Sequence, residues 1–349
     1  MSPLTRYAIL VDGAFDYLLA KTGNAILRYC PQEVVCVIDS QTAGKTVEMV
    51  LGWGGSVPVV AGLRQALEYE PDTLLIGTAP PGGRLPESWR STVRQALKKK
   101  LRIVSGLHTF LSDDEEFASL ARKNHTSLID LRKPPKTLPF SKGSWRWRKT
   151  PVVLTVGTDC DTGKMTTAWE IKTRLEEAGK RVSFVGTGQT GILLGGFGVA
   201  VDAVVSDFVA GAIEDQIDKA DSNTDVIMVE GQGSLTHMAY SGVTLGLLHG
   251  AMPDMMILCH EPGRRLDTFD HPMRPVREIM DLYLKMVTVF RPSRFVGISL
   301  LTYRMNEKTA LKTTRAYRTE YQMPAADLVR FGDKGIADAI IQRISPSTG

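Results

Sequence analysis

Short runs of aliphatic and β-branched residues recur along the chain, separated by stretches with helical periodicity. In the first third these runs are Val34 to Ile38, Thr73 to Ile76, Arg102 to Val104 and Leu128-Ile129, alternating with helical patterns over Pro86 to Lys100 and Asp113 to Lys123. Ser112 or Asp113 is the expected cap of the latter helix, with Glu115 and Glu116 in its first turn. Further on, strands are predicted at Val152 to Val156, Arg181 to Gly186, Asp225 to Glu230, Asp254 to Cys259, Arg294 to Leu300 and Asp327 to Phe331. Runs that are apolar throughout, rather than alternating, belong to strands buried on both faces. Their alternation with helices predicts an α/β protein with parallel sheets.

Between Leu131 and Thr150 this pattern breaks. The text RKPPKTLPFSKGSWRWRKT carries three prolines and many basic residues, which deny it regular structure. The expected organisation is one parallel α/β domain over 1–140, a linker over 141–150 and a second over 151–349; the phosphate-loop text below and the family resemblance imply that these are a Rossmann-like domain and a P-loop NTPase-like domain. Trp145 and Trp147 are expected to anchor the linker against one of the domains.

The second domain opens on the most informative text in the chain, VVLTVGTDCDTGKMTTAWEIKTRL. A buried strand runs into a loop bracketed by Gly157 and Gly163, and Lys164 and a helix follow at once. Such a turn lets backbone N–H groups converge on an anion, with the helix N-terminus and a lysine ammonium adding positive charge. Gly157, Thr158, Asp159, Cys160, Asp161, Thr162, Gly163, Lys164, Met165 and Thr166 are therefore the candidate cofactor-binding residues. The loop departs from the common signature, having five residues between its glycines and Met165 where a Ser or Thr usually follows the lysine. Its form, GTD-x-x-x-GK, resembles dethiobiotin synthetase and its relatives. A thioether is a poor ligand for Mg²⁺, so the metal's hydroxyl ligand is expected from Thr166 or Thr167. Cys160 sits where the helix N-terminus and Lys164 lower a thiol pKa.

In open α/β sheets ligands bind beyond the carboxyl ends of the strands. Beyond the predicted second strand lies Gly186-Thr187-Gly188-Gln189-Thr190-Gly191-Ile192, too rich in glycine for a packed element, in which Gln189 is placed to orient a substrate. The third strand ends on Glu230, the usual place for a carboxylate that holds Mg²⁺ directly or through water, so Glu230 and Thr166 are the candidate metal ligands. The fourth delivers His260 and Glu261, side-chain types suited to proton transfer although adjacent residues on an extended chain point apart. VDAVVSDFVAGAIE reads as a helix starting near Asp202, and His108 and His249 each follow an apolar run, as substrate contacts or as structural histidines. No G-x-G-x-x-G follows the first strand of the amino-terminal half, which argues against a dinucleotide there.

Composition narrows the function. Of 349 residues, 43% are hydrophobic and 23% charged, ordinary for a globular protein, and the formal net charge is +4. The densest basic run, Lys98-Lys99-Lys100, marks the solvated end of a helix, so nucleic acid is not an expected partner. The opening MSPLTRYAILVDGAF lacks a signal-peptide pattern and no segment suits a membrane, which makes a cytoplasmic location the expectation. Four cysteines show no paired metal-ligand spacing.

Five ordered blocks, SGLHTFL, GTDCDTGKMTTA, GTGQTGILLGGFGVAVDAVVSDFVAGAIE, VEGQGSL and GVTLGLLHGAMPDMMILCHEP, resemble the D-glutamate N-acetyltransferase-like family, long catalogued as a domain of unknown function. The resemblance spans nearly the whole chain. It implies a Rossmann-like domain followed by a P-loop domain, and transfer of an acetyl group from acetyl-CoA to the amino group of a D-amino acid such as D-glutamate. For that chemistry His260 or Glu261 is the candidate base, Gln189 or loop amides the oxyanion donors, and Arg264 or Arg265 the clamp on a substrate carboxylate. Two alternatives stand beside it: a ligase or phosphotransferase using ATP and Mg²⁺, and a nucleotide-binding regulator without turnover. The expected partner is a small amino-acid substrate, and enzymes of this type are often homo-oligomers.

Overall fold

The computed structural model describes residues 4–17, 19–78, 81–220 and 223–344. The chain divides into two compact units, Met1–Pro134 and Pro135–Gly349.

In the first unit β1 (Tyr7–Leu10), β2 (Val34–Ile38), β3 (Val59–Val60), β4 (Thr73–Ile76), β5 (Arg102–Ser105) and β6 (Leu128–Asp130) form one parallel sheet in the order β3-β2-β1-β4-β5-β6. This is the Rossmann order, with its switch point between β1 and β4. Leu10, Ile76 and Ile103 pack with Trp89, Val93, Leu97 and Phe117, which come from the helices Glu87–Lys98 and Glu115–Lys123. The carboxylate beyond β2, which faces a ribose in dinucleotide-binding relatives of this fold, is spent internally: Asp39 accepts from the Gly13 amide at 2.7 Å and the Thr42 hydroxyl at 2.5 Å.

The second unit places β7 (Val152–Gly157), β8 (Val182–Val185), β9 (Val226–Val229), β10 (Met255–His260), β11 (Arg294–Leu300) and β12 (Ala325–Ala326) in a second parallel sheet, ordered β12-β11-β10-β7-β9-β8. β7 lies between β9 and β10 and is buried along its length. Its side chains alternate between two cores: Val152, Leu154 and Val156 join Ile213, Leu247 and Tyr283 on one face, and Val153 joins Ile171, Leu175 and Ile340 on the other. A strand covered on both faces needs the unbroken apolar run that this stretch has.

Several local expectations are corrected. The segment 141–150 is held to the second unit mainly by Glu214, and of the two expected anchors only Trp145 packs. Buried Glu214, in the helix Val209–Asp218, accepts from the Ser141 hydroxyl at 2.7 Å, the Lys142 amide at 2.5 Å and the Ser144 amide. Trp145 packs edge-on to Phe290, while Trp147 stays exposed under Arg146. The stretch around Asp202 forms only short turns at Val201–Ala203 and Ser206–Phe208 before its helix begins. Asp327 to Phe331 is not a strand: β12 precedes it, and Asp327 caps the helical turn Leu328–Phe331 through the Arg330 amide. The cap of Glu115–Lys123 is Asp114, one residue past the expected pair. Glu214→Ala leaves three donors without their acceptor, so a loss of about 2–4 kcal/mol is expected, checked by thermal melting and by faster proteolysis within 136–149.

Candidate functional site

β7 ends at Gly157 and the helix Lys164–Glu177 begins seven residues later, so the loop hangs at the carboxyl edge of the sheet, where the fold puts ligands. Gly163 is the N-cap, with φ +85°, a conformation that favours glycine, and it supplies no side-chain cap. The N–H groups of the helix's first turn are thus left for a ligand. At Gly157 the reason for glycine is space, since a Cβ there would come within 2.7 Å of Lys164 Nζ and 2.8 Å of the Asp159 carbonyl oxygen. Lys164 folds back over the loop, donating to that carbonyl at 2.7 Å. Burial pushes its pKa down, against nearby charges that favour the ammonium. A phosphate would replace the carbonyl as its partner and add the opposite charge that burial makes valuable.

Asp159 is fully buried and holds the loop to the segment after β10. Its Oδ2 accepts from Arg264 Nη1 at 2.8 Å and from the Thr268 amide at 3.1 Å. The same guanidinium donates to the Cys160 carbonyl at 2.9 Å and meets Glu261 at 2.5 Å. Arg264 is therefore a clamp within the protein and is not poised for a substrate carboxylate, which leaves exposed Arg265 as the remaining member of that expected pair.

The other candidates fall as follows. His260, the last residue of β10, shares a 2.9 Å hydrogen bond between Nδ1 and the Thr158 hydroxyl. Burial and then the charge of Arg264 push its pKa down to about 4. Glu261 is buried and ion-paired with Arg264 and, at 3.5 Å, with Arg304. Both side chains thus have employment other than the base role expected of them. Gln189 is buried at the start of the helix Gln189–Gly195, which overturns the reading of this text as too glycine-rich to pack. Glu230 Oε2 accepts from the Thr187 amide at 2.8 Å and the Gly188 amide at 3.1 Å, so it organises the entry to that helix. Thr166 is half-buried in the first turn of its helix, whereas Thr167 donates to Ser299 at 2.7 Å. Burial raises the pKa of Cys160 and outweighs Lys164, contrary to expectation. His249 bonds the Met286 carbonyl and stacks edge-on to Phe290, a structural role.

Two contributors went unread in the sequence. Tyr283 is fully buried and donates to the Gly157 carbonyl at 3.0 Å, supporting the loop from below. His237 lies beyond β9 between Tyr240 and Phe269, with Nε2 bonded to the Thr268 hydroxyl at 2.9 Å. Asp159, Cys160 and His237 bring three donor atoms within 4.8 Å of one another. The Ala239 amide, however, donates to His237 Nδ1, which puts the ring proton on Nε2, the nitrogen a metal would need.

The low pKa of His260 has a consequence for stability. An unfolded chain takes up the imidazole proton near 6.5, while the folded chain refuses it until about 4. Stability present at pH 7 is lost as pH falls through that window, by on the order of 2–3 kcal/mol. Urea unfolding from pH 7 to 4.5 is expected to show a steeper decline for the wild type than for His260→Gln.

A phosphate loop in a parallel sheet, joined to a unit with Rossmann strand order, defines a P-loop protein with a Rossmann-like amino-terminal domain. Residues 139–337 match the model of a domain of unknown function, the DUF1611 carboxy-terminal P-loop domain, and residues 40–134 match the corresponding amino-terminal Rossmann-like domain. The chain belongs to this DUF1611 family. It is 35% identical to a D-glutamate N-acetyltransferase of Tritonibacter scottomollicae, covering 96% of this chain and 98% of the relative, and 33% identical to one of a Pseudoalteromonas species, covering 93% and 96%. A crystal structure of a DUF1611 family protein from Anabaena variabilis superposes with a TM-score of 0.91 at 36% identity, covering 97% of this chain and 99% of the other. No helix among the described residues is long and apolar enough to cross a membrane.

Proposed function

We propose that this protein is an enzyme that acetylates the amino group of a D-amino acid such as D-glutamate, with acetyl-CoA as donor. The observation that carries the reading is full-length similarity: two relatives named for this activity are 33–35% identical over 93–96% of the chain. The loop supports it. An uncapped helix N-terminus and a buried lysine suit the pyrophosphate of coenzyme A as well as they suit a nucleotide's phosphates. When bound, acetyl-CoA supplies an activated acyl carbon, to which the deprotonated amine bonds as the carbon–sulfur bond breaks and the sulfur leaves as the thiol, the second amine proton being lost.

In this reading Lys164 and the first-turn amides bind, and Asp159, Arg264, His260 and Tyr283 hold the loop in shape. His260, neutral at pH 7, keeps Thr158 in place. Use of ATP with Mg²⁺ is the competing reading, supported by the buried carboxylate of Glu230 at a strand tip, with Thr166 as its partner on the metal. Against it stand Met165 and the two amides already held by Glu230.

The test is to incubate the purified protein with D- and L-amino acids and either acetyl-CoA or Mg²⁺–ATP, following free thiol, inorganic phosphate and product mass. Thiol release that depends on a D-amino acid is expected. Phosphate release in its place, or ligand binding with no product, overturns the assignment.

A further inference from the structure

Beyond β10 the chain turns back on itself over the phosphate loop. The Asp267 amide donates to the His271 carbonyl and the Met273 amide to the Arg265 carbonyl, closing a short hairpin. Between this hairpin and the loop lies a cavity of about 230 Å³, bordered by Thr158, Asp159, His237, Asp267, His271 and Arg274. Coenzyme A far exceeds that volume, whereas an amino acid is of the right size.

The charges around the cavity are divided in sign. Asp159 and Asp267 supply carboxylates, and His271 and Arg274 supply cationic or titratable nitrogen. Asp159 sits at the phosphate-loop end, fully buried, and its Oδ1 has no hydrogen-bond partner although Oδ2 has two. His237 Nε2, at 3.9 Å, is too far to serve. An acceptor oxygen left unpaired in a buried site costs about 1–3 kcal/mol, a cost that an incoming N–H donor removes. Arg274 is exposed at the rim and makes no hydrogen bond or ion pair among the described residues. A guanidinium without a partner suits bidentate capture of a carboxylate.

A free amino acid carries both complements, an ammonium and a carboxylate a few bonds apart. We propose that this cavity is the binding site of the acceptor amino acid, its ammonium turned toward Asp159 beside the phosphate loop and a carboxylate held by Arg274. The placement rests on the acetyl-transfer reading for its chemistry but is separable from it in experiment.

The decisive measurement is the kinetics of thiol release from acetyl-CoA for wild type, Arg274→Ala and Arg274→Lys, with the best amino acid of the panel as acceptor. Arg274→Ala is expected to raise the acceptor KM by about tenfold or more while leaving the acetyl-CoA KM within about twofold, and Arg274→Lys to recover part of the loss. An unchanged acceptor KM, or an equal rise for both substrates, overturns the placement. Should the wild type release no thiol at all, the acetyl-transfer reading fails by itself. The cavity is then judged by calorimetric titration with D-glutamate: binding that Arg274→Ala abolishes supports the site, and no binding to the wild type refutes it. The exposure of Arg274 means that both variants should melt with the wild type, which a thermal scan verifies.

Discussion

Lys164→Ala is expected to weaken acetyl-CoA binding about 100-fold or more and to reduce turnover in parallel. The ammonium is buried in its own loop, where a charge-assisted hydrogen bond to a phosphate contributes about 3 kcal/mol once water is excluded. Lys164→Arg is not expected to rescue it. A Cβ at Gly157 would already stand 2.7 Å from Nζ, and one at Gly231 would stand 3.3 Å from Cδ, so the channel that holds the side chain leaves no room for a guanidinium. Calorimetric titration of acetyl-CoA into each variant checks this, with desulfo-CoA as a ligand that cannot react. Affinity equal to wild type in Lys164→Ala would move the phosphates to another part of the molecule and take the functional reading with them.

The loop was legible because its sequence is local: strand, glycine, five residues, glycine, lysine and helix stand in one unbroken stretch, and the structure forms them in that order. Long apolar strands such as β10 and β11 were legible for the same reason, since burial on both faces imposes a run without polar interruption. β1 was not read, although Tyr7–Leu10 is as long as β4, is followed by the amphipathic helix Lys21–Tyr29 and lies at the centre of its sheet. β3, with two residues, carries no periodicity at all.

Failures at the site have a different cause. The roles of Arg264, Asp159 and Glu230 depend on partners far away in sequence: Arg264 reaches Asp159 across 105 positions, and Glu230 reaches Thr187 across 43. Position at a strand tip marks such residues as near the ligand, but cannot say whether a charge is free or already paired. His237 is the same case, a lone histidine in a loop until Asp159, Thr268 and two aromatic rings surround it. Glycine density misled in the opposite direction. In Gly186 to Gly191 the missing side chains serve close packing, since a Cβ on Gly191 would come within 2.1 Å of the Glu230 carboxylate.

Packing without side chains also governs the residue after Glu230. Gly231→Ala is expected to destabilise the P-loop unit by about 4 kcal/mol or more. The Gly231 amide donates to the Thr155 hydroxyl at 2.9 Å, and a Cβ added there would lie 1.7 Å from the Thr155 carbonyl oxygen. That atom belongs to the backbone of β7, which is held on its other side by β10, so neither strand can withdraw without parting the centre of the sheet. Gly242→Ala is the control. It lies in the helix Ser241–Ala251, where an added Cβ would meet nothing within 4 Å, and the better helix former should leave stability equal or raise it by about 0.5–1 kcal/mol. Circular dichroism melts should therefore separate the two variants by roughly 10 °C or more, with Gly231→Ala also losing soluble yield. Equal melting would mean that β9 does not pass over Thr155, and Lys164, whose stem packs beside Gly231, would then lack the wall that aims it at a phosphate.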